Sequence, residues 1–221
     1  LLFVDCDAQA QPPVIKRLAL GVVFQGPREP LEQHFRPLVE YAARELSATH
    51  QTKGAVVVAP SAGEMIKLLE EKHVDFYMES PYPTYLINRL GAAKLLLRSW
   101  KGGMADYRSL LFTKKESGVT EFKDLQGKII AFEDPGSTSG YFLPKLLLLK
   151  RGFSVEQKAD LGSKVPKNEI GYIFAKSARD IFNLVTQQKV AAGAFSTDDY
   201  SALEDKNRAE ISTLGESESV P

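Results

Sequence analysis

One cysteine and three histidines, scattered along 221 residues, are too few to build a common zinc site or a disulfide framework. Cys6 lies near the N-terminus, and His34, His50 and His73 each sit among charged, helix-like residues that read as surface. Charge of one sign is equally scarce: 28 Lys and Arg face 28 Asp and Glu, so there is no basic field for nucleic acid. No apolar run approaches the ~20 residues that span a bilayer. No G-x-G-x-x-G follows a strand-like run, and no G-x-S-x-G elbow is present. These absences exclude the usual signatures of dinucleotide enzymes, elbow-type hydrolases and zinc enzymes. A protein without cofactor, metal or nucleic-acid partner is expected, and one that does not catalyse.

What is present is an alternation of strand-like and helix-like segments. Apolar residues alternate over Val14 to Phe24, and helical spacing runs from Pro30 to Ser47 through Leu31, Phe35, Leu38, Val39, Ala42 and Leu46. A strand follows at Ala55 to Ala59, a helix at Ser61 to His73, a strand at Val74 to Met78, a helix at Tyr82 to Leu90 and a fourth strand at Lys94 to Trp100. The pattern then restarts, with strands at Tyr107 to Lys114, Lys128 to Phe132, Ile170 to Phe174 and Val190 to Phe195, and helices at Ser137 to Arg151 and Ser177 to Gln188. Such an order implies an α/β fold of two similar units, each a mostly parallel sheet flanked by helices. The expected division is lobe 1 at 13–105, lobe 2 at 106–205 and a return crossing at 206–221. The first lobe is expected to be incomplete at its C-terminal end. Residues 1–12 contain Ala8-Gln9-Ala10 ahead of Gln11-Pro12-Pro13, the pattern that ends a secretory signal peptide; they read as a signal remnant or a disordered tail, and the first reading gives a periplasmic location.

Ligands of open α/β sheets bind beyond the carboxyl ends of strands. That rule selects Gln25, Ser61, Glu79, Ser80 and Ser137 to Ser139, with Ser177 and Ser196-Thr197 as weaker candidates. The richest corner is Asp134-Pro135-Gly136-Ser137-Thr138-Ser139-Gly140, between a strand and a helix. The first amides of a helix lack intrahelical partners and carry partial positive charge, so hydroxyls added there suit a tetrahedral oxyanion. The plainer reading is that one hydroxyl merely caps the helix. Pro144 inside the helical stretch either kinks it or marks where its regular part begins. Tyr77, Tyr82, Tyr85 and Tyr107 are candidate aromatic walls.

Taken together, Asp124-Leu125-Gln126-Gly127-Lys128-Ile129-Ile130-Ala131-Phe132, Asp134-Pro135-Gly136-Ser137-Thr138-Ser139-Gly140-Tyr141 and Pro144 resemble the second-lobe signature of phosphate/phosphite/phosphonate-type substrate-binding proteins of bacterial ABC importers. The likeness runs from about residue 14 to 205. It implies a two-lobed periplasmic binding fold joined by hinge strands, a small oxyanion ligand and an inner-membrane permease as partner, with the protein acting as a monomer. It also implies that Ser137, Thr138 and Ser139, with neighbouring amides such as that of Gly140, hold the phosphoryl oxygens; Ser61, Glu79, Ser80 and Tyr82 are expected to complete the site, although the family often has an aromatic residue near Ser61 and an aromatic or small polar pair at Glu79-Ser80. Where the family often carries a His, this chain reads Ala175-Lys176-Ser177, and Ala191 stands where an acid is usual. Glu79 has two functional readings, an acceptor for a protonated phosphate or ligand amine, or a latch to Arg98, Lys101 or Arg108; a carboxylate favoured at a helix start is the plain one. The same fold also serves as the ligand-sensing input domain of signalling proteins. A phosphate-ester enzyme using Ser137 or Ser139 lacks a nearby His.

Overall fold

A computed structural model of the chain describes residues 17–25, 28–46, 52–90, 93–100 and 103–221. The expected signal remnant, residues 14–16, His50 and Lys101 lie outside the described residues. The chain divides into two compact units, one of residues 1–79 and 87–94, the other of residues 80–86 and 95–221.

The first unit is built on a three-stranded parallel sheet of order β2-β1-β3, with β1 at Arg17–Val23, β2 at Lys53–Ala59 and β3 at Phe76–Tyr77. β1 is central and nearly continuous in apolar residues, as expected of a strand covered on both faces. Helix α1 (Arg28–Leu46) buries Val39 and Ala43, one turn apart. Leu38 and Leu46, expected on the buried face, are instead exposed, because burial follows the Val39–Ala43 line. Helix α2 (Ala62–Glu70) buries Met65 and ends before the expected His73, where Lys72 takes a left-handed φ of 59°. Met65 packs so closely on β1 that a Cβ at Gly21 would lie 2.6 Å from its sulfur. Helix α3 covers Pro81–Arg89.

The expected strand at Lys94 to Trp100 is corrected: residues 93–100 carry no regular structure. Leu95, Leu96, Leu97 and Trp100 are 72, 77, 93 and 67% exposed. A leucine run signals a buried strand only if a neighbour offers a pairing edge, and none does so among the described residues.

The second unit holds a six-stranded sheet of order β6-β7-β5-β8-β4-β9. Its strands are β4 (Ser109–Lys114), β5 (Ile129–Phe132), β6 (Ser154–Gln157), β7 (Glu169–Phe174), β8 (Gly193–Ser196) and β9 (Ile211–Glu216). β6, β7, β5 and β8 run parallel, whereas β4 runs antiparallel to both β8 and β9, so the sheet is mixed. Successive residues point to opposite faces. Leu111, Ile130, Phe132, Ile170 and Tyr172 therefore pack under helix α4 (Leu143–Lys150) with Leu148. Leu110, Phe112, Ala131 and Phe195 pack on the other face against Ile181 and Val185 of helix α5 (Ala178–Thr186). Phe112 and Phe132 are fully buried, each stabilising the unit by roughly 1.5–3 kcal/mol relative to exposure. β6 and β9 were not anticipated as strands; β9 falls in the expected return crossing and pairs with β4. Short helices α6 (Thr197–Ala202) and α7 (Asp205–Arg208) join β8 to β9.

Candidate functional site

The corner after β5 is held by its own backbone. Asp134 Oδ1 accepts the Gly136 amide at 2.7 Å and the Asp134 carbonyl accepts the Ser137 amide at 3.2 Å, which turns the chain sharply. Ser137 is the N-cap: its Oγ accepts the Gly140 amide at 2.9 Å and donates to Glu133 Oε2 at 2.7 Å. The plainer expectation for this serine, a cap, is thus fulfilled, and its oxygen and the Gly140 amide serve each other. Residues Thr138–Phe142 form a π-helical turn, and the α-helical part begins at Leu143 with Pro144 in its first turn. There the missing amide costs nothing, so Pro144 marks the start of the regular helix rather than a break in it. Gly140 is obligatory: a Cβ would lie 2.5 Å from Glu133 Cβ and 2.9 Å from Ser137 Oγ.

Thr138 is the buried member, 3% exposed. Its hydroxyl donates to Ser80 Oγ at 2.9 Å and accepts the Tyr82 amide at 2.9 Å. Tyr82 also stacks on Phe142, with ring centroids 4.4 Å apart and planes within 10°. Tyr107 reaches the same threonine. Burial pushes its phenol up to about 12, the hydrogen bond with Thr138 opposing and Asp198 adding to the rise. Tyr107 therefore stays a neutral hydroxyl at any physiological pH. Ser109, fully buried, donates to the Ser139 carbonyl at 2.6 Å. The Ser139 hydroxyl and the amides of Thr138 and Ser139 have no acceptor or donor partner among the described residues. Ser80, Tyr82, Thr138 and Ser139 are thereby brought together in the second unit. Ser109 escaped the sequence reading because its partner, the Ser139 carbonyl, lies 30 positions away, and Tyr107 was named only as an aromatic wall.

In the first unit, Ser61 caps α2, accepting the Glu64 amide at 3.2 Å. Glu79 Oε1 accepts the Val23 amide at the end of β1. Arg98 is bonded to the Asp106 carboxylate and the Ala105 carbonyl, and Arg108 donates to the Ser217 carbonyl at 3.1 Å.

Four strand-to-helix corners begin with a serine cap, and three share a second feature. Ser61, Ser177 and Ser196 each accept the amide of an acidic residue three positions on, Glu64, Asp180 and Asp199. Those acids occupy the positive end of the helix. At the Ser137 corner that position is Gly140, and the first turns of the π and α segments contain no acid. The acid beside this helix start comes instead from the strand end, where the Glu133 carboxylate accepts from Ser137 Oγ.

The family of ABC-transporter phosphonate periplasmic substrate-binding proteins matches residues 20–221. The chain belongs to it. XAC2383 from Xanthomonas citri bound to ATP superposes with a TM-score of 0.83 at 25% identity, over 93% of this chain and 74% of that one. PhnD1 from Prochlorococcus marinus in complex with methylphosphonate gives 0.64 at 14% identity, over 92% and 73%. A binding-protein component of an ABC phosphonate transporter from Pseudomonas aeruginosa gives 0.61 at 16%, over 94% and 67%. The latter two likenesses establish the periplasmic binding fold. Membership places the protein outside the cytoplasm, with a small-molecule ligand and a membrane permease as partners. Among the described residues no helix is long and apolar enough to cross a membrane.

Proposed function

We propose that this chain captures a phosphate-like or phosphonate-like oxyanion at the Ser137–Gly140 corner and delivers it to its permease as a monomer, without catalysis. The observation that supports the reading is a helix start whose own first turn carries no acid, with the Ser139 hydroxyl and two amides open to an acceptor. Oxyanions are held at such starts by charge-assisted bonds without needing Lys or Arg. Ser137 orients the Gly140 turn, Thr138 fixes the corner against Ser80 and Tyr82, and Ser139 meets the ligand. Glu79 and Ser61 keep the roles of ligand contacts as proposals, each with its oxygen also serving local backbone. Glu133, hydrogen-bonded to Ser137 Oγ, sits before the helix and favours a ligand that keeps one proton.

The test is titration calorimetry with phosphate, phosphite, methylphosphonate, sulfate and ATP, the last because the X. citri neighbour carries it. A phosphorus oxyanion should bind, and Ser139→Ala should weaken it by about 1–3 kcal/mol while leaving the melting temperature unchanged. Unaltered affinity in Ser139→Ala would remove the corner from the site.

A further inference from the structure

The second unit has a cavity at the end of its sheet away from the Ser137–Gly140 corner. It measures about 380 Å³ and lies at the amino ends of the parallel strands, where the turn after β4, the start of β5, the loop from β6 to β7 and the end of α5 meet. Its floor is apolar, with Val119, Val185 and Val190 buried there. Three lysines, Lys114, Lys128 and Lys189, line it, and no acidic residue does. Their placement follows from the topology. β5, β8 and β4 are neighbours in the sheet, and β4 runs opposite to β8. The Ala191 amide donates to the Ile129 carbonyl at 2.8 Å, and the Thr113 hydroxyl to the Ala191 carbonyl at 2.9 Å. Lys128, Lys189 and Lys114 thus belong to three adjacent chain segments, spread over two strand spacings or about 10 Å.

Among the described residues none of the three is paired with a carboxylate. Lys128 donates to the Asp124 carbonyl, which occupies one of its three ammonium protons. Most nearby acids are engaged elsewhere. Asp124 accepts the amides of Thr120 and Glu121 at 2.9 and 3.0 Å, Asp160 accepts the Gly162 amide at 2.9 Å, and Glu169 pairs with Lys158. Glu116 sits in the turn after β4, outside the lining. The negative end of α5 is closed as well, because the carbonyls of Asn183, Leu184 and Val185 accept the amides of residues 187–190. Three like charges around one cavity repel one another, and an entering anion relieves that repulsion.

We propose that this cavity is an anion site in its own right, which takes a multiply charged phosphoryl group, free in solution or carried on a lipid headgroup. Its volume lies within the range of small-molecule sites, roughly 300–1,000 Å³. Lysines act as flexible point charges, so the site favours high charge over a fixed shape. A group whose charges are spread along a chain, as in pyrophosphate, meets more than one ammonium at once, whereas a single phosphate does not span the three segments. The site stands whether or not the Ser137–Gly140 corner holds an oxyanion.

Amide-resolved NMR of the intact chain, titrated with inorganic pyrophosphate at low ionic strength, tests it. The amides of Ser117, Lys128 and Lys189 should shift together, with an affinity that falls as salt rises. Lys114→Gln, Lys128→Gln and Lys189→Gln combined should weaken this binding about tenfold or more, while the amides of Thr138 and Ser139 answer methylphosphonate as in wild type. The three corresponding arginine substitutions should retain it. Lys189→Gln alone, at an exposed position, should give a several-fold loss and decides the matter if the triple variant fails to fold. Vesicles of phosphatidylglycerol and of phosphatidylcholine separate the two sources. Lysine-dependent sedimentation with the former alone assigns the site to a headgroup, and pyrophosphate binding without sedimentation assigns it to a free phosphoryl ligand. No shift at these amides together with no sedimentation, or shifts that the glutamine variant keeps, would overturn the site and leave the corner untouched.

Discussion

Four serine-capped corners share one architecture, and one of them differs in a single respect. Ser61, Ser177 and Ser196 are followed at the third position by Glu64, Asp180 and Asp199, whereas Ser137 is followed by Gly140. An acid at that position satisfies a helix with its own charge, which stabilises the fold and closes the site to anions. Glycine there lets the backbone approach Glu133, whose carboxylate meets Ser137 Oγ from outside the helix. On the proposed reading, the corner suits an anion because its own first turn omits an acid, and not because of its hydroxyls alone.

The comparison can be broken in several ways. Thr138→Val should have the largest effect, near the upper end of about 1–3 kcal/mol, because it removes the acceptor of the Tyr82 amide and the donor to Ser80 Oγ at a buried position. Urea unfolding measures it, and an unchanged midpoint would mean that the tie between Thr138 and residues 80–82 is absent in solution. Making the exceptional corner more like the others, by Gly140→Ala, should cost about 2 kcal/mol through the clash with Glu133. It should also weaken oxyanion binding, so retention of both stability and affinity would show the close approach to be unnecessary. Ser177→Ala and Ser196→Ala should each lower stability by about 1 kcal/mol without changing ligand affinity. A loss of affinity in either would mean that the ordinary corners bind as well.

The smallest effect concerns pH. Tyr107 is raised from its ordinary 10.0 to about 12, so the folded state holds a proton that the unfolded chain releases first. Its contribution is full below pH 10 and is lost as pH rises from 10 to about 12. Wild type should therefore lose stability across that window more steeply than Tyr107→Phe. Parallel curves for the two would place the phenol in contact with solvent.

The sequence reading succeeded where a local pattern carries its own physics. β2, β5 and β7 are short apolar runs bounded by turn residues, and each is a strand. It failed where pairing decides. Leu95 to Trp100 is as apolar as β1 yet lies exposed, while Ile211–Glu216 and Ser154–Gln157 are polar enough to pass for loop and still pair at sheet edges. The Ser137–Gly140 corner, proposed as the oxyanion site, stood out because its hydroxyls exceed what one cap needs. Ser109 was not, since its hold on the Ser139 carbonyl joins positions 30 residues apart. Gly140 was visible as a letter, but its meaning emerges only beside Glu64, Asp180 and Asp199.

The second unit claims residues 80–86, although residues 87–94 return to the first. Anyone wishing to produce that unit by itself would be tempted to start at Leu95, since every strand of the six-stranded sheet lies beyond it. Such a truncation would discard Ser80 and Tyr82, leaving Thr138 without two hydrogen-bond partners and Phe142 without its stacked ring. A minimal version has to carry the heptapeptide as well, grafted through a linker or supplied as a separate peptide. Whether that peptide restores the fold in trans would report directly on how much of the corner's rigidity is borrowed from a stretch of chain more than fifty positions upstream.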